Sequence, residues 1–481
     1  MSTRPGDPPH HDGADEEVDY PLRGDQLERW TQASRSPTRN ADQISTTYLL
    51  TGLLDTSILQ RAFCLLSSRH DALRLRIVNE HGQPKSVLRP APEHFPIPVI
   101  ELSDVDEDVA VSICTLYRAR EAAVPLDLSR DAPLRAMLLR LAPLRHVLLL
   151  TVSHFVADGW SCGALVHDLQ RCYRHASGGP DAQPMPPVAP YAEFIAEDEA
   201  RRTSTAARED LSWWLNHLTG APWCAPLARA ATDRADNGYD TFNIEFVLPE
   251  HLGRAARALA SGTGTTVYCV CLAALALCLA RWTGRQETMI NATYAGRDEE
   301  KYDDTVGLMS NRLPLRVPVR PKDSVAELVR EVGEIVLDAI EHRHAPFDAV
   351  FQALRARGDS PELQVTLQLY PRAMCEARAQ RPDDLDLRLI DFRAAGLHYD
   401  VALFLVEPDD EPFTGVATLR TRTFGIADAR EFLSLYQHIL AEATQSADTP
   451  VTELLHRTFP TRPIGTDLTW PTGLTDILSH Q

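Results

Sequence analysis

The chain has 481 residues, of which 44% are hydrophobic and 24% are charged. These are the proportions of a globular protein and exclude a disordered or fibrous one, and the length predicts two or three domains. Lys plus Arg number 48 against 67 Asp plus Glu, a formal net charge of −19, which repels a phosphate backbone and excludes nucleic acid as an expected partner.

The N-terminal residues 1–18 are rich in Pro, Gly and Asp and contain no apolar core segment. They predict a disordered leader and not a signal peptide. The nine cysteines show no CxxC pair and no zinc spacing, so we expect buried thiols in a reducing compartment, the cytoplasm. The longest apolar run, residues 267–282, is short for a bilayer span, so it predicts a packed core helix and no membrane partner.

The first half of the chain predicts a mixed α and β domain. Residues 55–69 carry apolar side chains at helical spacing, and residues 135–152 contain continuous apolar pieces typical of strands buried on both faces. Residues 177–190 (SGGPDAQPMPPVAP) are dense in Pro and Gly and predict an inter-domain linker. The predicted domains are therefore residues 19–176 and 191–460, followed by a tail over residues 461–481.

The second half predicts another set of helices and strands. A cap at Asp323 or Ser324 predicts a helix that runs to about residue 343 and is ended by Pro346. The other predicted elements are a helix over 208–218, a strand over 243–248, the buried helix over 265–282, and strands over 363–370 and 400–406. The predicted fold class is α/β (α+β).

The residues SHFVADGW, 153–160, follow an apolar strand predicted over 147–152 and precede a predicted helix. Strand ends in α/β sheets project side chains into crevices, and histidine titrates near neutrality. An Asp-Gly pair can also reverse the chain tightly, because glycine tolerates a positive φ. The position therefore predicts a general base at His154, with a core histidine beside a turn as the alternative, and HxxxDG alone does not decide between them.

Six segments, in order over about residues 20–440, resemble the core segments of nonribosomal peptide synthetase condensation domains. They are residues 20–30, Arg69-His70-Asp71-Ala72-Leu73-Arg74, SHFVADG at 153–159, Tyr191-Ala192-Glu193-Phe194, VGLMSNRLPLR at 306–316 and HAPFD at 344–348. In the family's HHxxxDG, the second His, the Asp and the Gly correspond to His154, Asp158 and Gly159, while Ser153 stands at the first His. A seventh family segment is degenerate here.

The resemblance implies two chloramphenicol-acetyltransferase-like subdomains in a V-shaped pseudo-dimer with a central tunnel. It implies a free-standing condensation enzyme of natural-product biosynthesis. Such an enzyme transfers an acyl group from a carrier-protein thioester to an amine or hydroxyl acceptor, either a small molecule or carrier-bound. The expected partner is an acyl or peptidyl carrier protein that supplies the phosphopantetheine arm, so we expect no permanently bound cofactor. An Arg-rich patch around Arg69, Arg74 and Arg76 is a candidate docking surface for that carrier.

The resemblance also implies roles for the motif residues. His154 would accept a proton from the nucleophile or orient an amine for attack. Asp158 would support the loop by pairing with Arg69 or Arg74. Gly159 would let the backbone approach the reacting centre and offer an amide to the oxyanion, or would be a mere turn glycine.

For the remaining candidate residues, a structural role is the alternative to a role in the site. Ser153 is expected to be tolerated in place of histidine, and Asn311 would bind a substrate amide or would be a turn residue before a strand. Trp160 and Phe155 are expected to lie in the core. The pairs His10-His11 and His342/His344 are better explained by a tail and a helix end than by a metal, so we expect no metal.

Three alternative functions remain open. A coenzyme A-dependent acyltransferase of the same superfamily shares the HxxxDG centre, and a non-catalytic condensation-like domain that recruits an oxygenase has an altered HHxxxDG segment. The presence of His154, Asp158 and Gly159 disfavours the recruitment domain. An epimerase-type relative is the third alternative, but Asn311 followed by RLPLR resembles the condensing members more.

Overall fold

The computed structural model describes residues 19–459, except residues 21, 25, 28, 31–41, 82, 179–184, 229–240, 381–383, 396–398 and 408–411. The predicted leader and the predicted C-terminal tail lie outside the described residues, as do parts of the first family segment and of the linker. Helices and strands are mixed along the described chain, which confirms the predicted α/β class.

The described strands form three sheets of five, six and three strands. The strands are β1 (Asp19–Tyr20), β2 (Gln43–Thr51), β3 (Leu75–Glu80), β4 (Gln83–Leu88), β5 (Val99–Glu101), β6 (Leu134–Ala142), β7 (Arg145–Ser153), β8 (Thr241–Leu248), β9 (Glu287–Tyr294), β10 (Asn311–Pro318), β11 (Val365–Pro371), β12 (Asp386–Ala395), β13 (Val401–Glu407) and β14 (Phe413–Arg420). Their orders are β12-β2-β7-β6-β5, β10-β9-β11-β13-β14-β8 and β1-β4-β3. Pairing is antiparallel except where β5 meets β6 and where β11 meets β9 and β13.

The helices cover these sheets. They are α1 (Thr56–Arg69), α2 (Glu107–Ala123), α3 (Gly159–Ser177), α4 (Tyr191–Arg202), α5 (Thr205–Leu218), α6 (Glu250–Thr263), α7 (Val267–Thr283), α8 (Val325–Glu341), α9 (Phe347–Ala356), α10 (Arg372–Cys375), α11 (Ile426–Gln445) and α12 (Val451–His456). Helices α1 and α3 contribute to the core on one face of the five-stranded sheet, and α2 packs on the other face. Strand β7 is therefore buried on both sides, as its apolar sequence predicts.

Side-chain caps fix where the predicted helices begin. Asp55 accepts hydrogen bonds from the backbone N–H groups of Ser57 and Ile58 at the start of α1. Ser324, and not Asp323, caps α8 through a reciprocal capping box with Glu327. Each cap satisfies backbone donors that have no partner within the helix. The predictions over 55–69 and from residue 324 are therefore confirmed.

Strand β12 follows the predicted linker in sequence, yet it pairs with β2, which precedes that linker. The pairing runs from Asp386 opposite Thr51 to Ala395 opposite Gln43, with one irregularity next to Asp391. The two halves of the chain thus share one sheet. The domain boundaries at residues 176 and 191 stay a prediction.

Helix α7 is buried along nearly its whole length among α6, α8 and α11. Among the described residues, no single helix has both the length and the apolar composition needed to cross a membrane. Helices α6 and α7 meet that test only as a pair, which is bent by 102°. All nine cysteines are free thiols, and Cys224 is the exposed one, while the expected reducing compartment stays a prediction.

We predict that Asp168→Asn destabilises the protein. The buried Asp168 carboxylate of α3 accepts from Arg69 Nε at 2.6 Å, His70 Nε2 at 2.9 Å and Arg171 Nη1 at 2.8 Å. Removing its charge leaves the Arg69 guanidinium buried without its partner, which costs about 3–5 kcal/mol for a buried pair. Differential scanning calorimetry should show a clearly lower melting temperature.

The matched control is Asp304→Asn. Asp304 also accepts a hydrogen bond from Arg171, but its side chain is 50% exposed, so the change in stability should be within about 1 kcal/mol. Equal melting temperatures for the two variants would show that the Asp168 contacts do not stabilise the fold.

Candidate active site

His154 follows the last residue of β7, and a short turn leads from it to α3. Its backbone N–H donates to the carbonyl of Asp42 at 2.8 Å, and its ring Nδ1 lies 2.8 Å from the carbonyl oxygen of Ala157. A carbonyl oxygen only accepts, so Nδ1 carries the proton of the neutral ring. Nε2 is then the unprotonated nitrogen and has the lone pair that a general base needs.

The surroundings of His154 favour its neutral form. Burial and the positive charge of Arg29 lower the pKa of His154, against the opposing influence of Asp42 and Asp158. Arg29 and Asp42 lie beside the ring, joined by two hydrogen bonds of 2.6 Å from Arg29 Nη1 to the carboxylate. His154 is therefore uncharged near neutral pH, as a proton acceptor must be.

Asp158 is the N-cap of α3 and forms a capping box with Ser161. Its Oδ1 accepts from Ser161 N at 2.9 Å and Ser161 Oγ at 2.8 Å, and its Oδ2 accepts from the backbone N–H groups of Met309 and Ser310, both at 3.1 Å. Arg297 adds a bidentate pair, with Nη1 2.9 Å from Oδ2 and Nη2 3.1 Å from Oδ1. Asp158 is thus saturated with donors and serves as a positioning residue.

The prediction that Asp158 pairs with Arg69 or Arg74 is wrong. Arg69 instead pairs with Asp168, which stands nearly three turns further along α3 and faces the end of α1. Arg74 donates from Nη1 to the carbonyl of Arg89 at 3.0 Å. The partner of Asp158 is Arg297, on the loop that follows β9. The Arg69 side chain is only 7% exposed, so it contributes little to the predicted carrier-docking patch.

Gly159 is required for space and not for a turn. Its φ is not positive, and it occupies the first position of α3, which corrects the expectation of a tight Asp-Gly reversal. A Cβ atom at this position would lie 2.2 Å from the hydroxyl oxygen of Tyr370. The absence of a side chain lets Tyr370 pack against the helix start. The Gly159 N–H belongs to the positive end of α3 and lies beside the chamber that His154 lines.

Ser153 and Asn311 both bond to the backbone. Ser153 is 4% exposed and its Oγ accepts from Phe155 N at 3.3 Å. Asn311 Nδ2 donates to the carbonyls of Arg343 at 3.1 Å and Ala345 at 3.0 Å, while its Oδ1 accepts from Arg312 N and Phe347 N. Asn311 is the first residue of β10 and not a turn residue before it, and its side chain ties the strand to the backbone around residues 343–347. Its role toward a substrate amide stays a prediction.

The two aromatic residues of the motif lie differently. Phe155 is buried in the core as predicted. The expectation that Trp160 lies in the core is wrong, since Trp160 is half-buried, donates from Nε1 to the carbonyl of Asp303 at 2.8 Å, and lines a cavity.

Two adjoining cavities meet at the start of α3. The first, which we call the His154 chamber, has a volume of about 60 Å³ and is lined by His154, Arg29, Asp42 and Arg312 among others. The second, which we call the apolar cavity, has a volume of about 300 Å³. The residues that line both are Asp158, Gly159, Thr293, Ser310, Gln368 and Tyr370.

The sequence motifs did not identify several residues of the site. Ser161 stands three residues after Asp158, which is the capping-box spacing, so a search for helix caps would have found it. Arg297 and Tyr370 are far from the motif in sequence and belong to no recognised segment. Among the described residues, no group of three His, Cys, Asp or Glu side chains is close enough to hold a metal ion. The expected absence of a metal stays a prediction.

Known sequences resemble the chain over most of its length. The sequence model of the family described as Condensation domain matches residues 16–458. Phosphinothricin tripeptide synthetase PhsB from Streptomyces viridochromogenes is 33% identical over 371 residues, which make up 75% of this chain and 30% of that protein. The chain therefore spans under a third of that relative's length.

Solved structures share the architecture. The first condensation domain of the calcium-dependent antibiotic synthetase, in complex with a substrate analogue, superposes with a TM-score of 0.79 at 23% identity, over 91% of this chain and 98% of that one. The X-domain from teicoplanin biosynthesis gives a TM-score of 0.73 at 22% identity, over 91% and 97% of the two chains. At these identities the likeness shows the fold alone.

The fold is that of proteins built from two chloramphenicol-acetyltransferase-like subdomains, as predicted. Because the family model covers most of the sequence, the chain belongs to the condensation domain family. The family in general consists of amide-forming acyltransferases, and the curated relatives include peptide synthetases.

We predict that Asp158→Asn lowers stability most strongly at neutral pH. Burial raises the pKa of Asp158, but the charge and hydrogen bonds of Arg297 outweigh burial and hold it below its usual value. Since the folded-state pKa is depressed, the contribution of the carboxylate is complete above about pH 4 and is lost as the pH falls through the folded-state pKa. The variant leaves Arg297 buried and unpaired, which costs about 3–5 kcal/mol.

Melting temperatures measured from about pH 7 down to pH 3 should show the gap between wild type and Asp158→Asn closing at the acid end. The exposed Asp104→Asn is the control and should follow the wild type throughout. Unchanged melting combined with lost activity would make Asp158 a participant in the chemistry.

Proposed function

We propose that this chain is a condensation enzyme that joins an acyl group from a phosphopantetheinyl carrier-protein thioester to an amine or hydroxyl acceptor. The observation that carries the proposal is the tautomer of His154, whose Nδ1–H donates to the Ala157 carbonyl and leaves Nε2 as a proton acceptor. The adjoining chamber and apolar cavity provide room for the reacting groups.

In the proposed reaction, the acceptor nitrogen or oxygen attacks the thioester carbonyl carbon while Nε2 of His154 takes its proton. The new C–N or C–O bond forms, the C–S bond breaks, and the proton passes from Nε2 to the leaving thiolate. The backbone N–H of Gly159, at the positive end of α3, is a candidate donor to the developing oxyanion. This acyl transfer needs no reactant other than the thioester and the acceptor.

The phosphopantetheine arm belongs to the partner carrier in this proposal, and no cofactor is held by the chain itself. A donor bound to coenzyme A presents the same thioester to His154. Parallel assays with carrier-loaded and coenzyme A-bound donors therefore distinguish the two acyl sources. The fold of the chain also resembles that of the X-domain. If no acyl transfer occurs with either donor, a non-catalytic recruitment role is the competing interpretation.

We predict that His154→Ala lowers single-turnover product formation at least about 100-fold, because a general base contributes typically about 10²–10⁴-fold. Binding of the carrier, measured by calorimetry, should change little. Ser153→His should retain most of the rate, and the added volume at this buried position should cost about 1–3 kcal/mol of stability. Melting temperatures recorded in parallel separate unfolding from lost catalysis.

Full activity of His154→Ala would overturn the mechanism. A wild type that binds a loaded carrier but yields no product across a broad acceptor panel would support recruitment instead.

The rate of product formation should also fall as the pH is lowered. The neutral ring of His154 is the active form, and its pKa is lowered by burial and by Arg29. The acid limb of the rate should therefore have its midpoint below about 6.5, the ordinary histidine value, and the rate should be level near pH 7. In His154→Gln the residual rate should lose this limb. An identical limb in that variant would assign the titration to another group.

A further inference from the structure

The apolar cavity lies between one end of the six-stranded sheet and helix α8. Leu313 and Leu315 of β10 face it, together with Ala292 of β9, and Val336 and Ile340 of α8 close it from the other side. Strands β10 and β9 place Leu313 directly opposite Ala292. Val336 and Ile340 pack against the core but remain only partly buried, since this side of the helix borders the cavity.

Several polar side chains in the cavity wall already have hydrogen-bond partners within the protein. Tyr268 donates from its hydroxyl to the carbonyl of Leu367 at 3.4 Å, and the Tyr370 hydroxyl donates to Gln368 Oε1. Trp160 donates to a backbone carbonyl. Among the described residues that line this wall, Asp158 is the one with a charged side chain, and both of its oxygens accept from Arg297 and backbone donors. The wall therefore has no charged group left to pair with a ligand.

The apolar cavity shares part of its lining with the His154 chamber. Gly159, Gln368 and Tyr370 border both the apolar cavity and the His154 chamber. The Tyr370 ring packs on Gly159 at the place where the two linings meet. A substrate whose reacting atom lies at His154 has the apolar cavity as its neighbouring space.

We propose that the apolar cavity receives an uncharged aliphatic or aromatic group of the substrate, whose reacting carbon or nitrogen then lies at His154. This inference rests on the proposed function. The volume of about 300 Å³ is at the lower end of ligand cavities and corresponds to on the order of ten water-sized groups. The group is either the donor's acyl chain or the side chain of the acceptor.

The free energy of transfer from water into the cavity predicts which substrate groups are preferred. Each methylene buried in the cavity contributes about 0.8 kcal/mol, which converts to about fourfold in kcat/KM. A terminal carboxylate would lose its hydration without gaining a partner, so a charged chain is rejected.

The test uses two arms with N-acetylcysteamine thioesters as substrates. The donor arm varies acetyl, butyryl, octanoyl, benzoyl and succinyl groups against one acceptor, and the acceptor arm varies glycine, leucine, phenylalanine and aspartate against an acetyl donor. In one arm, kcat/KM should rise about fourfold per methylene until the cavity is full, with succinyl or aspartate at least about tenfold below the uncharged group of similar size. The arm that shows this dependence identifies the source of the group.

Two variants fill the cavity, Val336→Phe from the helix and Ala292→Phe from the sheet. Each should lower the ratio of the long to the short substrate at least about tenfold. The matched control is Ala119→Phe, the same enlargement at an exposed position of α2, which should leave that ratio unchanged. If one variant fails to fold, the other still tests the wall from the opposite side.

A binding measurement separates this inference from the proposed function. Octanamide, which has no thioester to react, should bind the wild type and not Val336→Phe in calorimetry, while succinamate should bind neither. Such binding without turnover of any thioester would support the cavity inference and contradict the condensation activity. Turnover without any dependence on chain length, or equal octanamide binding by wild type and both filled variants, would overturn the cavity inference alone.

Discussion

The ion pair between Asp158 and Arg297 is the interaction on which the site depends. Its side chains are 3% and 1% exposed, so neither charge is stable in this interior without the other. Arg297 Nη1 also donates to the carbonyl of Ala295 and Nη2 to that of Thr305, so it ties the loop between β9 and β10 to the start of α3. His154, Gly159 and Trp160 flank Asp158 in sequence. One buried carboxylate therefore helps to set the position of His154, of the helix N–H groups and of the wall of the apolar cavity.

A second buried charge cluster joins the two halves of the chain away from the site. Arg118 of α2 contacts Glu245 of β8 at 2.5 Å and Asp391 of β12 at 3.3 Å, and Arg393 of β12 bonds to the same two carboxylates at 2.9 and 2.7 Å. Together with the pairing of β12 and β2, this cluster connects the five-stranded and six-stranded sheets. The two halves of the chain are thus held together at more than one place.

Local signals predicted much of the fold, and long-range contacts account for what they missed. Hydrophobic periodicity and capping residues predicted α1, α7 and α8, because these signals extend over only a few consecutive residues. The strand-end histidine was found for the same reason. The partner of Asp158 was predicted wrongly because Arg297 is 139 residues away and no local pattern distinguishes it from other arginines. The exchange of β12 into the first sheet likewise depends on tertiary pairing, which a single sequence does not encode in any short window.

The serine in the altered motif has a structural explanation. Ser153 is buried at the end of β7 opposite Gln43 of β2, and its hydroxyl accepts from the N–H of Phe155. It is not among the residues that line the His154 chamber. The properties that leave His154 Nε2 unprotonated come from other groups, namely the Ala157 carbonyl that accepts from Nδ1 and the burial and Arg29 charge that keep the ring neutral. A change at position 153 therefore alters the packing of the strand end and leaves the tautomer and the neutral state of His154 in place, so the serine is compatible with the proposed role of His154.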